Sequence, residues 1–265
     1  LHMPDLFSTR QILPIQADLL SISYPNEKQI ILGYPCHDVL HNIKHGDGDL
    51  KKLTGRKSSF NVEQESNQKF EKVIIWMPTF RKLRSGERID SNVELTMGVP
   101  ILKNNEDFCK LDEKLASKKV LLVIKIHPMQ DTSKIRIRST NNIVVLDGNT
   151  VKELGIDNYR LMVDTDAMIT DYSSSGTDYL QTQNPLAYTL SDMNEYKLGF
   201  IVENIHELMP GKKIYSLNDL LIFIDDVVDG RDKYVKERRV ALEKMFKYHD
   251  GRSCQRLAEH MGINK

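Results

Sequence analysis

Three short polar clusters in this chain carry the residue types that handle phosphate. In "AMITDYSSSGTDYL", Asp171, Tyr172, Ser173, Ser174, Ser175, Gly176, Thr177 and Asp178 follow an apolar tetrad and open a helical run. A helix starting at the serines aims unpaired backbone N–H groups, and the positive end of its dipole, at whatever lies beyond. Hydroxyls beside those amides make a cradle for phosphate oxygens. Ser173 alone reads equally as an ordinary N-cap, but capping needs one such residue, not three in a row. Asp178, on the same helix, is a candidate acceptor for hydroxyls of a ribose or polyol.

The second cluster is "KIHP", where Lys125, His127 and Pro128 end the most apolar run of the chain. A lone histidine is more often structural than catalytic. One that terminates a buried strand, however, points into the crevice above it, where imidazole donates to phosphate or exchanges a proton near neutral pH. The third is "WMPTFRKLRSG", with Thr79, Arg81, Lys82 and Arg84 after another apolar run. On basic residues alone this reads first as a solvated loop. Together Thr79, Arg81, Lys125, His127, Asp171, Ser173, Ser174 and Asp178 are the candidate anion site, with His127 the candidate catalytic group. Neither GxGxxG nor GxxxxGK[ST] is present, so a dinucleotide fingerprint and a P-loop are both unsupported. No metal and no cofactor is expected.

Such clusters need a frame that brings them together. "KVIIWMP" (72–78), "VLLVIKIHP" (120–128), "NIVVLD" (142–147), "AMIT" (167–170) and "LAYTL" (186–190) read as strands. The near-continuous aliphatic run at 120–128 suits a strand buried on both faces of a parallel sheet. Helices are expected over 105–119, with Phe108, Leu111 and Leu115 on one face, over 151–164 and from about 174 to 183. Ser216 and Asp219 spell a capping box before "LLIFIDDVV", and helices near 231–248 and 252–261 close the chain. A short strand at 28–32 ends at Gly33-Tyr34-Pro35. Alternating strands and helices from 72 to 230 predict an α/β, Rossmann-like doubly wound parallel sheet, which binds ligands at the carboxyl ends of its strands. All three clusters fall at such ends. The polar stretch 44–72 reads as a linker or domain edge.

Bulk properties narrow the classes. Lys+Arg and Asp+Glu both total 37 in 265 residues, so overall charge offers nucleic acid no purchase. With 40% hydrophobic residues the chain can bury a core. Cys36, Cys109 and Cys254 are scattered without CxxC or Cys/His ligand spacing, which favours a reducing compartment. No apolar run approaches the roughly 18 residues of a membrane span, and no signal-peptide pattern is found. "LHMPDLF" at the start reads as a piece of a longer protein.

The ordered set "MPTFR", "KIHP", "MITDYSSSGTDYL" and "PLAYTLSDMNEYKLGF", with "MPGKKIYSLNDL" and "DGRSCQRL" downstream, resembles the nucleotide-binding half of the CDP-glycerol glycerophosphotransferases. These are teichoic acid primases and polymerases, and related capsule polymerases share the pattern. The resemblance covers most of residues 28–260. It implies a GT-B fold, with the donor in a C-terminal domain over 72–230, a remnant of the acceptor domain at 1–45, a linker at 46–71, and C-terminal helices at 231–265 packing on or bridging the domains. It implies that Arg81, His127, Ser173, Ser174 and Asp178 contact a CDP-glycerol or CDP-ribitol donor, and that His127 neutralises the diphosphate as CMP departs. The other expected partner is a lipid-linked polymer, met by a cytoplasmic protein at the inner face of the membrane through peripheral contact. The stretch "ILGYPCHDVL" resembles the family's "GxPRxDxL" but holds Cys36 and His37 where Arg and Asn are usual. The family's upstream "WHG" motif has no counterpart here, and His45-Gly46 follows rather than precedes "GYPCHD". That departure leaves open a donor-binding domain without its acceptor-side base. A GT-B glycosyltransferase using a UDP-sugar is the other alternative. Trp76 reads as core, Tyr172 as either packing or a cytosine platform, and "RDKYVKERR" as a solvated face rather than a lipid-binding one.

Overall fold

A computed structural model of the chain describes residues 30–53, 70–79, 81, 95–195 and 205–263. Its centre is a six-stranded sheet of β1 (Lys72–Trp76), β2 (Val120–Lys125), β3 (Ile143–Leu146), β4 (Ala167–Thr170), β5 (Leu186–Thr189) and β6 (Lys212–Ile214). The strand order is β3-β2-β1-β4-β5-β6 and every pairing is parallel. The helices are α1 (Asp38–Asn42), α2 (Asn105–Lys118), α3 (Gly148–Glu153), α4 (Asn158–Val163), α5 (Ser174–Tyr179), α6 (Leu217–Val228), α7 (Val235–Met245) and α8 (Ser253–His260). This is the α/β doubly wound sheet expected from the alternation, with β1 at the point where the winding reverses.

The central strands read as unbroken apolar runs because both faces are covered. Ile74 and Trp76 pack with Phe108, Leu111 and Leu115 of α2 and with Leu220, Phe223 and Ile224 of α6. Val73 and Ile75 face Leu161 and Met162 of α4, Tyr179 of α5 and Leu242 and Met245 of α7. Trp76 is fully buried, as its apolar neighbours suggested. Local chemistry sets the helix starts: Asn104 accepts the Asp107 N–H before α2, and the Ser216–Asp219 capping box opens α6.

Several elements differ from the sequence reading. Residues 30–34 form no strand, and residues 28–29 lie outside the described residues. The helix expected over 151–164 is two helices, α3 and α4. Gly155 breaks it at φ 58°, and Asp157 restarts it by accepting the Arg160 N–H. The helix expected over 231–248 starts late, at Val235, because Asp232 accepts the Tyr234 N–H and draws in Arg238, keeping 231–234 out of the helix. β6 was not anticipated at all. The polar stretch after residue 44 is firmly attached where it is described. Asp164 accepts the N–H groups of Gly46, Gly48 and Leu50 at 2.8, 3.1 and 2.9 Å, and buried Asp49 accepts from Arg160 and from the Asp157 N–H. Gly48 is required there, since a Cβ would sit 2.2 Å from the Arg160 carbonyl oxygen.

Candidate functional site

The carboxyl ends of β1, β2 and β4 open onto a pocket of about 450 Å³, at the crevice beside the reversal point. Met77 and Pro78 follow β1, Lys125 ends β2 with His127, Pro128 and Met129 after it, Asn158, Tyr159 and Met162 belong to α4, and Ser173, Ser174, Ser175 and Asp178 come from α5 and its cap. The first and second polar clusters of the sequence therefore meet; of the eight candidates, Lys125, His127, Ser173, Ser174 and Asp178 line this one cavity.

Lys125 is the last residue of β2, and only 4% of it is exposed. Burial pushes its ammonium pKa below the ordinary lysine value. Among the described residues no carboxylate pairs with it. The half-buried His127 takes the Met129 N–H at Nδ1, 3.1 Å away, so in the neutral ring the proton sits on Nε2 and that nitrogen is the donor. Ser173 is the N-cap of α5: its hydroxyl accepts the Ser175 N–H at 3.3 Å and the Ser175 hydroxyl at 3.0 Å. Ser175 turns inward beside Thr170, whereas Ser174 is exposed at the pocket. Gly176 has a packing reason. A Cβ there would lie 2.9 Å from Thr170 Cγ2 and 3.2 Å from a ring carbon of Tyr188, so a side chain would lift α5 from the sheet.

Thr79, Arg81 and Asp171 stand behind the pocket wall and engage one another. Asp171, fully buried, accepts the Thr79 hydroxyl at 2.6 Å, the Thr79 N–H at 2.9 Å, the Ser173 N–H at 3.1 Å and Arg81 Nη1 at 2.9 Å. Arg81 also donates to both oxygens of Asp192, at 2.6 and 3.1 Å, and to the Thr79 carbonyl at 2.7 Å. Burial opposes its charge, but Asp171 and Asp192 outweigh that and hold the guanidinium pKa above its usual value. Its guanidinium lies 4.7 Å over the Tyr172 ring, so Tyr172 packs against this brace. The brace ties the loops after β1, β4 and β5 together and sets where α5 begins. Lys82 and Arg84 lie outside the described residues.

Three participants were missed in the sequence. Asp192 follows β5 by three positions, and only the fold shows that it faces Arg81. His37, from a 3-10 turn at Pro35–His37, donates from Nε2 to Asp178 at 2.8 Å across 141 sequence positions. Tyr159 donates to the other Asp178 oxygen at 3.3 Å. Burial, then the Asp178 charge, raise the Tyr159 pKa, so the phenol keeps its proton.

With hydroxyls, an imidazole and a buried ammonium that no carboxylate pairs with among the described residues, the pocket can hold a polyanionic group and stabilise charge that develops on it. Among the described residues no cluster of three or more His, Cys, Asp or Glu is arranged for a metal ion, and no helix is long and apolar enough to cross a membrane.

Comparison with known proteins agrees with this chemistry. The family model described as CDP-glycerol:poly(glycerophosphate) glycerophosphotransferase matches residues 15–261. A teichoic acid ribitol-phosphate polymerase, TarL, of Staphylococcus aureus (strain NCTC 8325 / PS 47) is 28% identical over 96% of this chain and 40% of its own length. A teichoic acid glycerol-phosphate primase of Bacillus subtilis (strain 168) is 26% identical over 76% of this chain and 46% of its own length. The chain thus spans less than half of either relative. The solved wall teichoic acid polymerase TagF has the same fold, with a TM-score of 0.64 over 93% of this chain and 56% of that one, at 20% identity.

Proposed function

This chain belongs to the CDP-glycerol:poly(glycerophosphate) glycerophosphotransferase family, and we propose that its pocket holds the diphosphate of a CDP-activated polyol. The protein then transfers glycerol phosphate, or a related polyol phosphate, to a hydroxyl of a teichoic acid acceptor. The acceptor oxygen attacks the phosphorus that carries the polyol. The bond from that phosphorus to the CMP oxygen breaks, and its electron pair leaves on CMP. The hydroxyl proton goes to a base that the donor pocket does not supply. Such transfer depends on positioning and on stabilising charge at the leaving oxygen. Lys125, the His127 Nε2–H and the hydroxyls of Ser173 and Ser174 perform that task, Thr79, Arg81 and Asp171 hold α5 in place, and Asp178 takes hydroxyls. The acceptor is a lipid-linked polymer, met at the inner membrane face.

One observation carries this reading. Lys125 is buried, unpaired among the described residues, and lines the same cavity as Ser173, Ser174 and Ser175. An isolated buried ammonium is costly unless a negative group joins it. Calorimetric titration with CDP-glycerol, CDP-ribitol and UDP-N-acetylglucosamine tests the proposal: a CDP-polyol binds and the UDP-sugar does not. Preference for the UDP-sugar, or no binding of either CDP ester, overturns it.

A further inference from the structure

Asp178 borders a pocket otherwise built for anions, and a carboxylate there repels a diphosphate. Its ligand must be a hydroxyl donor. Its side chain is 24% exposed, and both oxygens are already engaged from behind, Oδ1 by His37 and Oδ2 by Tyr159. The remaining lone pairs are left for a partner in the cavity.

His37 is itself held rigidly. It is 4% exposed, stacked on Tyr34 at 4.9 Å between centroids and met edge-on by Phe246 at 5.3 Å. Its neighbour Asp38 accepts the N–H groups of Ser253 and Cys254 at 2.9 and 2.7 Å, which locks the 35–42 segment to the start of α8. His41 bonds Gln181 at 2.9 Å, just beyond α5. This packing leaves the imidazole no freedom to follow Asp178, so Asp178 must follow the imidazole.

We infer that His37 is a positioning residue that sets the rotamer of Asp178, and through it the recognition of hydroxyls on the ribose or polyol of the donor. The inference rests on the donor reading proposed above. It makes the 34–42 segment part of donor recognition although none of its residues lines the pocket. Diphosphate binding and hydroxyl recognition are then separable, the first belonging to Lys125, His127 and the serines and the second to the His37–Asp178–Tyr159 set.

The test measures CDP-glycerol and inorganic pyrophosphate affinities by calorimetry for the unsubstituted chain, His37→Phe, His37→Gln, Asp178→Asn and the His37→Phe/Asp178→Asn pair. Phenylalanine keeps the ring stack and removes the donor; glutamine restores a donor at similar reach. Losing a hydrogen bond to a charged group predicts about a 10-fold weaker CDP-glycerol affinity in His37→Phe. Pyrophosphate stays within about twofold, glutamine recovers most of the loss, and the pair binds no worse than Asp178→Asn alone, as expected for residues acting in series. Should His37→Phe fold poorly by thermal melting, Tyr159→Phe gives the same selectivity with a smaller loss. Unchanged CDP-glycerol affinity, equal weakening for pyrophosphate, or additive losses in the pair each overturn the inference. Absence of CDP-glycerol binding by the unsubstituted chain overturns the proposed function itself and is read before any variant.

Discussion

Replacing Arg81 by methionine separates bracing from ligand contact. The guanidinium sits between Asp171, 0% exposed, and Asp192, 3% exposed, and makes three carboxylate hydrogen bonds of 2.6 to 3.1 Å. Methionine fills much of the same volume but donates nothing, so two buried carboxylates lose their shared cation. Removing one partner of a buried pair costs about 3–5 kcal/mol. Against a total stability of roughly 5–15 kcal/mol that is a large fraction. For a chain of this size each kcal/mol shifts Tm by about 2–4 °C, so Tm should fall by roughly 6–20 °C. The assay is thermal unfolding together with pyrophosphate titration at a temperature where the variant remains folded. Because Arg81 is behind the wall rather than in it, affinity should weaken by less than about 10-fold. Adding Asp192→Asn, which removes one of the stranded charges, should recover part of the lost Tm. An unchanged Tm with pyrophosphate binding abolished would show that Arg81 touches the anion, and the bracing argument would be wrong.

Lys125→Met should stabilise the empty chain by about 0.5–2 kcal/mol, as removal of a functional strain often does, while weakening pyrophosphate at least 10-fold. The pH sign follows from the depressed lysine pKa. Below its folded value the full penalty is present, and it fades as pH rises toward the unfolded value near 10.4. The stability gap between variant and parent, read from urea melts, should therefore be widest at neutral pH and narrow above it; a gap that widens on alkalinisation contradicts the assignment. Gly176→Ala gains about 1 kcal/mol of helix propensity yet meets Thr170 Cγ2 at 2.9 Å, so a net destabilisation of about 1 kcal/mol is expected. Thr170→Ser, which keeps the hydroxyl and removes that methyl, should relieve it in the double variant; a stabilised single variant refutes the close approach. Asp38→Ala removes the acceptor for two α8 amides and should cost about 0.5–2 kcal/mol, with faster hydrogen exchange at Ser253 and Cys254 as the local signature.

The strands were legible where burial on two faces leaves nothing but aliphatic residues, as in β1 and β2. β6 was not, because its three residues include two lysines whose polar ends find separate exits: Lys212 pairs with Asp226, and Lys213 lies 5.2 Å over the Tyr188 ring. A three-residue strand has no period to detect. The break between α3 and α4 was written as Gly155 followed by capping Asp157, a signal weaker than the apolar spacing that ran through it. In the site, position at a strand end was readable and direction was not. Lys125, His127, Ser173 and Ser174 turn into the crevice, while Arg81 and Asp171 turn to each other. Gly176 looked like part of an anion cradle and is there to let α5 approach β4 and β5. His37 could not be assigned from its neighbours in the chain, since its partner Asp178 becomes adjacent only through the fold.

A crystal soaked with CDP-glycerol is the most direct test of the donor pocket. Electron density for the diphosphate should lie within hydrogen-bond distance of Lys125 Nζ and His127 Nε2, against the hydroxyls of Ser173 and Ser174. An empty cavity there, with the nucleotide bound elsewhere, for example beside Lys212 and Arg231 at the opposite ends of the strands, would contradict it.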